Sequence, residues 1–118
     1  MKIDPNLSIE EVIAQFSEKY PGLKLELYSQ EHEEGQGSSL ATTLDHSMKL
    51  GDVNPAIESA DLDLDPQMTV AELENSFKDV YGLNVQVFRR SNNLWLQTST
   101  TDSWTLEVQN RKGLHSVQ

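Results

Sequence analysis

An internal duplication constrains this chain more than any other sequence feature. The stretch from Asp65 to Phe88 repeats the stretch from Asp4 to Tyr28, and with one gap at Pro21 seven of 24 aligned positions are identical. Most of the remaining positions exchange one residue for a chemically similar one. Such a repeat is typical of one supersecondary unit used twice. We therefore expect one copy in residues 1–60 and the other in residues 61–118, with both copies sharing one core.

The start of each copy predicts a helix followed by a strand. Ser8 with Glu11, and Thr69 with Glu72, have the spacing of a capping box, in which a hydroxyl and a carboxylate bind the first free amides of a helix. Apolar residues at helical spacing follow up to glycines at 22 and 82, after which apolar and polar residues alternate as in a half-buried strand. The residues expected on the buried helix faces are Ile9, Val12, Ile13, Phe16, Tyr20, Val70, Leu73, Phe77, Val80 and Tyr81.

The rest of each copy predicts a further strand and a shorter helix. We expect the strand near residues 40–42 and 94–98, and the helix caps at Ser47 or Asp45 and at Ser103 or Asp102. A short strand before each Asp-Pro completes the order strand, helix, strand, strand, short helix. The predicted fold class is α+β, with two tandem repeats forming a shared pseudo-symmetric core and both long helices on one face of an antiparallel sheet. The tail after residue 113 shows no periodicity and is expected to fray.

Charge and composition narrow the function classes. The 118 residues carry a net charge of −10, and residues 1–64 hold 4 basic and 13 acidic groups. Such a surface does not favour nucleic acid, whose phosphates attract basic proteins, but it suits a basic partner. The chain has no cysteine, which excludes disulfides and thiolate metal sites. It also lacks an apolar run long enough for a membrane span, so we expect a soluble, cytoplasmic protein.

Several residues of the second copy resemble a known pattern. These are Phe77, Tyr81, Gly82, Leu83, Val85, Val87, Phe88, Thr105 and Leu106. They are similar to the motif of a family of small tandem-repeat bacterial proteins of unknown function, in which a helix ending in Phe-x-x-x-Tyr-Gly-Leu leads into a hairpin. The resemblance implies the duplicated fold and no activity. The first copy departs from the motif after Tyr28, where it carries an acidic insertion.

A run of acidic residues between the copies has the spacing of a calcium-binding loop. Asp61, Asp63, Asp65 and Glu72 fit positions 1, 3, 5 and 12 of an EF-hand. The position that needs glycine is Pro66, however, and alternation with leucines indicates a strand with a solvated face. We therefore predict no metal site, with Asp61, Asp63 and Asp65 as the weak candidates. No cofactor is predicted.

The contiguous Asp45, His46 and Ser47 contain the residue types of a hydrolase triad. Side chains that are neighbours in sequence point apart, so this adjacency does not predict a hydrogen bond from nucleophile to base. No other stretch combines these residue types, and we predict that the protein is not an enzyme.

One cluster of basic and aromatic residues remains as a candidate site. Arg89 and Arg90 lie close in sequence to Trp95, and alternation places Tyr28 and Phe88 on the sheet face away from the long helices. We interpret these five residues as an interaction surface of a non-catalytic module that binds a protein partner or a second copy. The alternative is a small enzyme or ligand-binding protein that uses Arg89, Arg90 and the polar segment from residue 98 to residue 103.

The two copies are expected to contribute differently to the binding of a partner. The acidic insertion from Glu31 to Gly37 suits the steering of a partner, whereas Trp95 is the residue type in which binding energy concentrates. We expect the first copy to govern the association rate and the second to govern the dissociation rate.

Overall fold

The computed structural model describes residues 1–28 and 43–116, and its fold class is α+β. The elements are β1 (Lys2–Ile3), α1 (Ile9–Lys19), β2 (Leu23–Tyr28), α2 (Leu50–Val53), β3 (Ala60–Asp61), α3 (Val70–Tyr81), β4 (Asn84–Ser91), β5 (Leu94–Gln97) and α4 (Leu106–His115). The strand predicted near residues 40–42 and the acidic insertion lie outside the described residues.

Both long helices begin at the predicted capping boxes. The amide of Glu11 donates to Ser8 Oγ over 3.1 Å, and the Glu11 carboxylate accepts from the Ser8 amide over 3.3 Å. Thr69 and Glu72 make the same two bonds, both 3.1 Å long. Each box satisfies two amides that the helix itself leaves without a partner, which fixes the first residue of α1 and of α3.

The helices end in different ways. Gly82 follows α3 with φ +64°, the left-handed conformation expected of a glycine that stops a helix. By contrast, α1 already ends at Lys19, with Tyr20 as its C-cap, so the prediction that the glycine at 22 stops this helix is wrong. Gly22 instead donates its amide to Asn110 Oδ1 over 2.7 Å and packs against α4.

The main sheet joins the two copies directly. Its order is β2–β4–β5, and β2 pairs antiparallel with β4 so that Glu26 lies opposite Gln86. These two residues align with each other in the duplication. A second sheet pairs β1 with β3, with Ile3 opposite Ala60. The opening strand of the second copy is therefore at Ala60–Asp61, earlier than the strand expected directly before Pro66.

Equivalent residues of the two copies make equivalent backbone hydrogen bonds. In each copy, the first amide of the long helix donates to a carbonyl just before the second helix. Two amides at the start of the second helix donate in turn to carbonyls in the segment before the long helix. The paired bonds are Ile9 N to Met48 O and Val70 N to Trp104 O, Leu50 N to Leu7 O and Leu106 N to Met68 O, and Gly51 N to Pro5 O and Glu107 N to Pro66 O. The duplication in sequence is thus accompanied by repeated local geometry.

One hydrophobic cluster contains residues from both copies. The inward face of the sheet is formed by Leu23, Leu25, Leu27, Val85 and Val87, and α1 and α3 pack against β2 and β4. Val80 was expected on the buried helix face but is 66% exposed, because Val70, Leu73, Phe77 and Tyr81 already form that face. Conversely, Gln86 was expected on the polar sheet face and is fully buried.

The second helices start later than predicted. The N-cap of α2 is Lys49, and that of α4 is Thr105, whose Oγ1 accepts from the Val108 amide over 3.2 Å. Ser47 and Asp45 instead bond to each other within the preceding turn, where the Ser47 amide donates to Asp45 Oδ1 over 2.9 Å. The predicted caps are therefore wrong. Helix α4 also continues to His115, so the expected fraying does not begin at Leu114.

Among the described helices, none combines the length and the apolar composition needed to cross a membrane.

Candidate functional site

The β4–β5 hairpin forms the edge of the main sheet, and a short turn connects its strands. Asn92 in this turn has φ +55°, a conformation that asparagine tolerates better than most residues. Its amide donates to Ser116 Oγ over 3.2 Å, and Ser116 Oγ donates in turn to the Arg90 carbonyl over 3.0 Å. The end of α4 therefore holds the turn against the rest of the protein.

Pairing within the hairpin assigns its side chains to two faces. Trp95 lies opposite Arg90, and Leu96 lies opposite Arg89. Because side chains alternate along a strand, Trp95 shares the outer sheet face with Phe88 and Arg90. Arg89 shares the inner face with Val87 and points toward α4. The two arginines that the sequence places side by side are thus separated by the sheet.

The outer face carries a small cluster of aromatic rings and a lysine, which we call the outer cluster: Lys24, Phe88, Arg90 and Trp95. Lys24 extends from β2 across β4, and its Nζ lies 5.4 Å from the Phe88 ring centroid and 5.5 Å from that of Trp95. Contacts of this kind attract a cation to the face of an aromatic ring. Trp95 is 37% exposed and Lys24 is half-buried, so solvent reaches the outer cluster.

Arg89 belongs to a separate network on the inner face. Its Nη1 donates to Gln109 Oε1 over 2.9 Å, and its guanidinium carbon lies 5.4 Å from the Trp104 ring centroid. The buried Gln109 donates from Nε2 to the Thr101 carbonyl over 2.7 Å and to Thr101 Oγ1 over 2.9 Å. These bonds fix the segment between β5 and α4. They engage the Arg89 guanidinium in contacts within the protein.

Strand β5 is exposed along its whole length. Leu94 is 66%, Trp95 37% and Leu96 42% exposed, although all three are large apolar residues. Among the described strands β5 lies at the sheet edge, beyond β4. This edge strand carries neither charge nor proline, two of the usual protections against pairing with another chain.

The backbone of β5 also points toward solvent at alternate residues. The amide of Thr98 donates to the Val87 carbonyl over 3.3 Å, so Thr98 faces β4. Along an antiparallel strand, the N–H and C=O groups of successive residues point alternately toward one neighbour and the other. The backbone groups of Leu94 and Leu96 therefore point toward β4, whereas those of Trp95 and Gln97 point away from it. The edge therefore presents hydrogen-bonding groups at Trp95 and Gln97.

The five residues proposed from the sequence do not form one surface. Phe88, Arg90 and Trp95 lie together on the outer face, as described above. Tyr28 lies on the same face of the sheet but is only 6% exposed, and Arg89 faces α4. The sequence patterns did not indicate Lys24, Leu94 and Leu96 as members of the site. The alternation in β2 already places Lys24 on the same face as Tyr28, and this signal could have found it.

The other candidate groups do not converge on a metal site or on a triad within the described residues. Asp61 lies opposite Lys2 in the backbone register of β1 and β3, while Asp65 Oδ1 accepts from the Gln67 amide over 2.9 Å. Within residues 1–28 and 43–116, no three acidic or histidine side chains converge as metal ligands. His46 Nε2 lies 2.8 Å from Glu26 Oε1, and Ser47 Oγ donates to Asp45 over 2.8 Å, so the serine and the histidine bond to different partners.

A depression of about 430 Å³ lies elsewhere on the protein, lined by Lys2, Asp4, Asn6, Leu7 and Gln15. Neither the arginines at 89 and 90 nor the segment 98–103 contributes to it. The alternative function that rests on those residues therefore gains no cavity from this depression.

Comparison with known proteins found no relative of this chain. No protein-family model, curated protein or solved structure matches this chain. The resemblance to the tandem-repeat bacterial family thus stays a prediction.

Proposed function

We propose that this protein is a non-catalytic interaction module that binds a protein partner through the β4–β5 hairpin. The observation that carries the proposal is the exposed apolar edge strand, where Leu94, Trp95 and Leu96 meet solvent. An apolar patch with a polar surround is typical of a protein interaction site.

Tryptophan and arginine support this assignment because binding energy in interfaces concentrates on these residue types. Trp95 and Arg90 are cross-strand neighbours at the exposed end of the sheet. Lys24 contacts the same ring, so the partner would meet an aromatic surface with two cations beside it. Truncating Trp95 to alanine should therefore accelerate dissociation of the partner.

Two exposed apolar residues allow a matched test. Leu94 in β5 and Val80 in α3 are each 66% exposed, so replacing either with lysine removes a similar apolar surface and adds the same charge. Proteins would be captured from the native lysate with three tagged chains, which are the wild type, Leu94→Lys and Val80→Lys. Circular dichroism melts would verify that all three remain folded.

We expect a partner that wild type and Val80→Lys retain and that Leu94→Lys loses by about tenfold, as for the loss of a central interface residue. Identical sets of captured proteins from all three chains would contradict the proposal. A partner lost only from Val80→Lys would move the interface to α3.

A further inference from the structure

On the basis of the proposed function, we infer that the edge of β5 binds an extended acidic segment of a partner protein, in which acidic and apolar side chains alternate. The segment would add a strand to the sheet beyond β5. In this mode of recognition, main-chain hydrogen bonds supply affinity and alternate side chains supply specificity.

The backbone of β5 supplies the first part of this recognition. Trp95 and Gln97 direct their N–H and C=O groups away from β4, as the bond from Thr98 to Val87 establishes. A partner strand at the normal spacing would pair with these two residues. Its side chains would then alternate between the outer face, beside Trp95, and the inner face, beside Leu96.

The outer face selects for negative charge. Lys24 Nζ lies over the Trp95 ring at 5.5 Å, and Arg90 is the cross-strand neighbour of Trp95. Among the described residues of this face, the acidic side chain is Glu26, and its carboxylate already lies 2.8 Å from His46 Nε2. A side chain that the partner places beside Trp95 would therefore meet Lys24 and Arg90, which favours aspartate or glutamate.

The inner face selects for apolar side chains. Leu94 and Leu96 project from β5 on this side, at 66% and 42% exposure. Covering them with an aliphatic side chain removes apolar surface from water on both partners. The resulting preference is an acidic residue at every second position with valine, isoleucine or leucine between.

Charge also favours such a peptide over a second copy of this chain. Strand β5 has no charged residue, so the same strand of another copy would offer no carboxylate to Lys24 and Arg90.

The test uses the whole chain and fluorescent peptides long enough to span β5. One peptide alternates valine with glutamate, and its matched control alternates valine with lysine. Fluorescence anisotropy should show binding of the glutamate peptide at least about tenfold tighter than the lysine peptide, because the charged side chains meet cations. Equal affinity for both would overturn the inference about charge.

Two further peptides test the backbone contact. In one, the valine nitrogens are methylated, and in the other, the glutamate nitrogens are methylated, which removes hydrogen-bond donors from one edge of the strand at a time. One of the two should bind about tenfold more weakly than the parent, and the other should not, because a strand added to an edge uses one of its own edges. Unchanged affinity for both would overturn strand addition.

Protein variants locate the peptide. The double variant Lys24→Gln with Arg90→Gln should weaken the glutamate peptide, whereas Lys49→Gln with Arg111→Gln removes the same charge elsewhere and should not. Equal weakening by both pairs would indicate unspecific attraction and overturn the site.

The outcomes separate this inference from the proposed function. If Leu94→Lys loses a lysate partner but the peptides show no preference, the interaction module stands and the acidic strand is wrong. If sedimentation shows that the purified chain dimerises and that Leu94→Lys abolishes the dimer, the occupant of the edge is a second copy and the inference also fails.

Discussion

Besides the sheet, two junctions connect the copies, and in each an asparagine of one copy bonds to the end of a long helix of the other. The asparagine is a hydrogen-bond donor at one junction and an acceptor at the other. At one, Asn54 Nδ2 donates to the Tyr81 carbonyl over 2.8 Å, at the end of α3. At the other, Asn110 Oδ1 accepts from the Gly22 amide over 2.7 Å, just after α1. The asparagines align in the duplication, as do the glycines at 22 and 82, and each asparagine contacts the helix end of the other copy.

The two glycines are needed for different physical reasons. Gly82 has φ +64°, and a Cβ there would meet only the amide group of Asn54, the mobile end of a side chain. A Cβ on Gly22 would overlap the Asn110 carbonyl and the Leu114 amide, which are backbone atoms of α4. One glycine therefore serves backbone conformation and the other serves close packing, a difference that an alignment of the copies does not reveal.

The largest expected effect is that of Gly22→Ala. Because the clash is with helix backbone, relief requires β2 and α4 to separate, and we expect a loss of about 3 kcal/mol in the free energy of unfolding. Urea denaturation followed by circular dichroism measures this loss. Gly113→Ala should cost as much, since its Cβ would overlap the Gly22 carbonyl. A loss below about 0.5 kcal/mol, the level of an ordinary surface change, would contradict the packing role.

Gly82→Ala should have the next largest effect. An alanine held in the left-handed region costs about 1–2 kcal/mol, and its Cβ would also crowd the Asn54 amide that donates to the Tyr81 carbonyl. Gly82→Asn is the control, because asparagine occupies this region at lower cost. If asparagine destabilises the protein more than alanine does, crowding rather than φ limits this position and the contrast between the junctions disappears.

The asparagines themselves should contribute less. Asn54→Ala and Asn110→Ala each remove the hydrogen bond across their junction, so each should lower the free energy of unfolding by about 1 kcal/mol. Asn54→Ala also removes an exposed local bond from the Ala56 amide, which adds little. The two junctions share no residue, and the double variant should lose the sum within about 0.5 kcal/mol. A larger deviation from additivity in denaturant unfolding would mean that the junctions act as one unit.

The smallest effect concerns the tyrosines at the two helix ends at alkaline pH. Burial raises the pKa of Tyr20 above 10.0, with Asp65, Asp63 and Glu107 adding to the shift, and burial with Asp61 raises the pKa of Tyr81. The unfolded chain loses these protons first. The stability is therefore complete below about pH 10 and declines as the pH rises further.

Phenylalanine variants measure each contribution. Tyr20→Phe should flatten the alkaline decline more than Tyr81→Phe, because more carboxylates face Tyr20. Tyr20→Phe also loses the bond from its hydroxyl to the Leu64 carbonyl, which lowers stability at every pH. The slopes of unfolding free energy against pH are therefore compared rather than single values. A steeper slope in either variant would show that the sign is wrong.

Local patterns predicted the main elements of this fold. The capping boxes at Ser8 and Thr69 satisfy helix amides within three residues, so their effect is contained in the sequence itself. The caps of the second helices could not be predicted in the same way. Leu50 and Leu106 are placed by bonds to Leu7 and Met68 from a distant part of the chain, and this tertiary contact determines where each helix begins.

The candidate site likewise depends on tertiary contacts that local sequence patterns do not predict. Alternation within β4 places Phe88 on the outer face and separates Arg89 from Arg90, since neighbouring strand residues point to opposite sides, whereas the position of Trp95 on that face follows from the pairing of β5 with β4. Alternation does not indicate that Lys24 extends across β4 to Trp95, because that contact requires the pairing of β2 with β4. The exposure of Leu94 and Leu96 likewise depends on the strand order.

The pairing of β2 with β4 has a consequence for how the chain folds. Leu23 lies opposite Arg89, and Tyr28 lies opposite Asn84, so every contact of this ladder joins residues far apart in sequence. Chains whose contacts are mostly non-local fold more slowly, because a large loop must close before the contacts form. During synthesis β2 is made before β4, so the apolar face of β2 can pack against α1 at once, whereas its pairing edge must wait for the second copy.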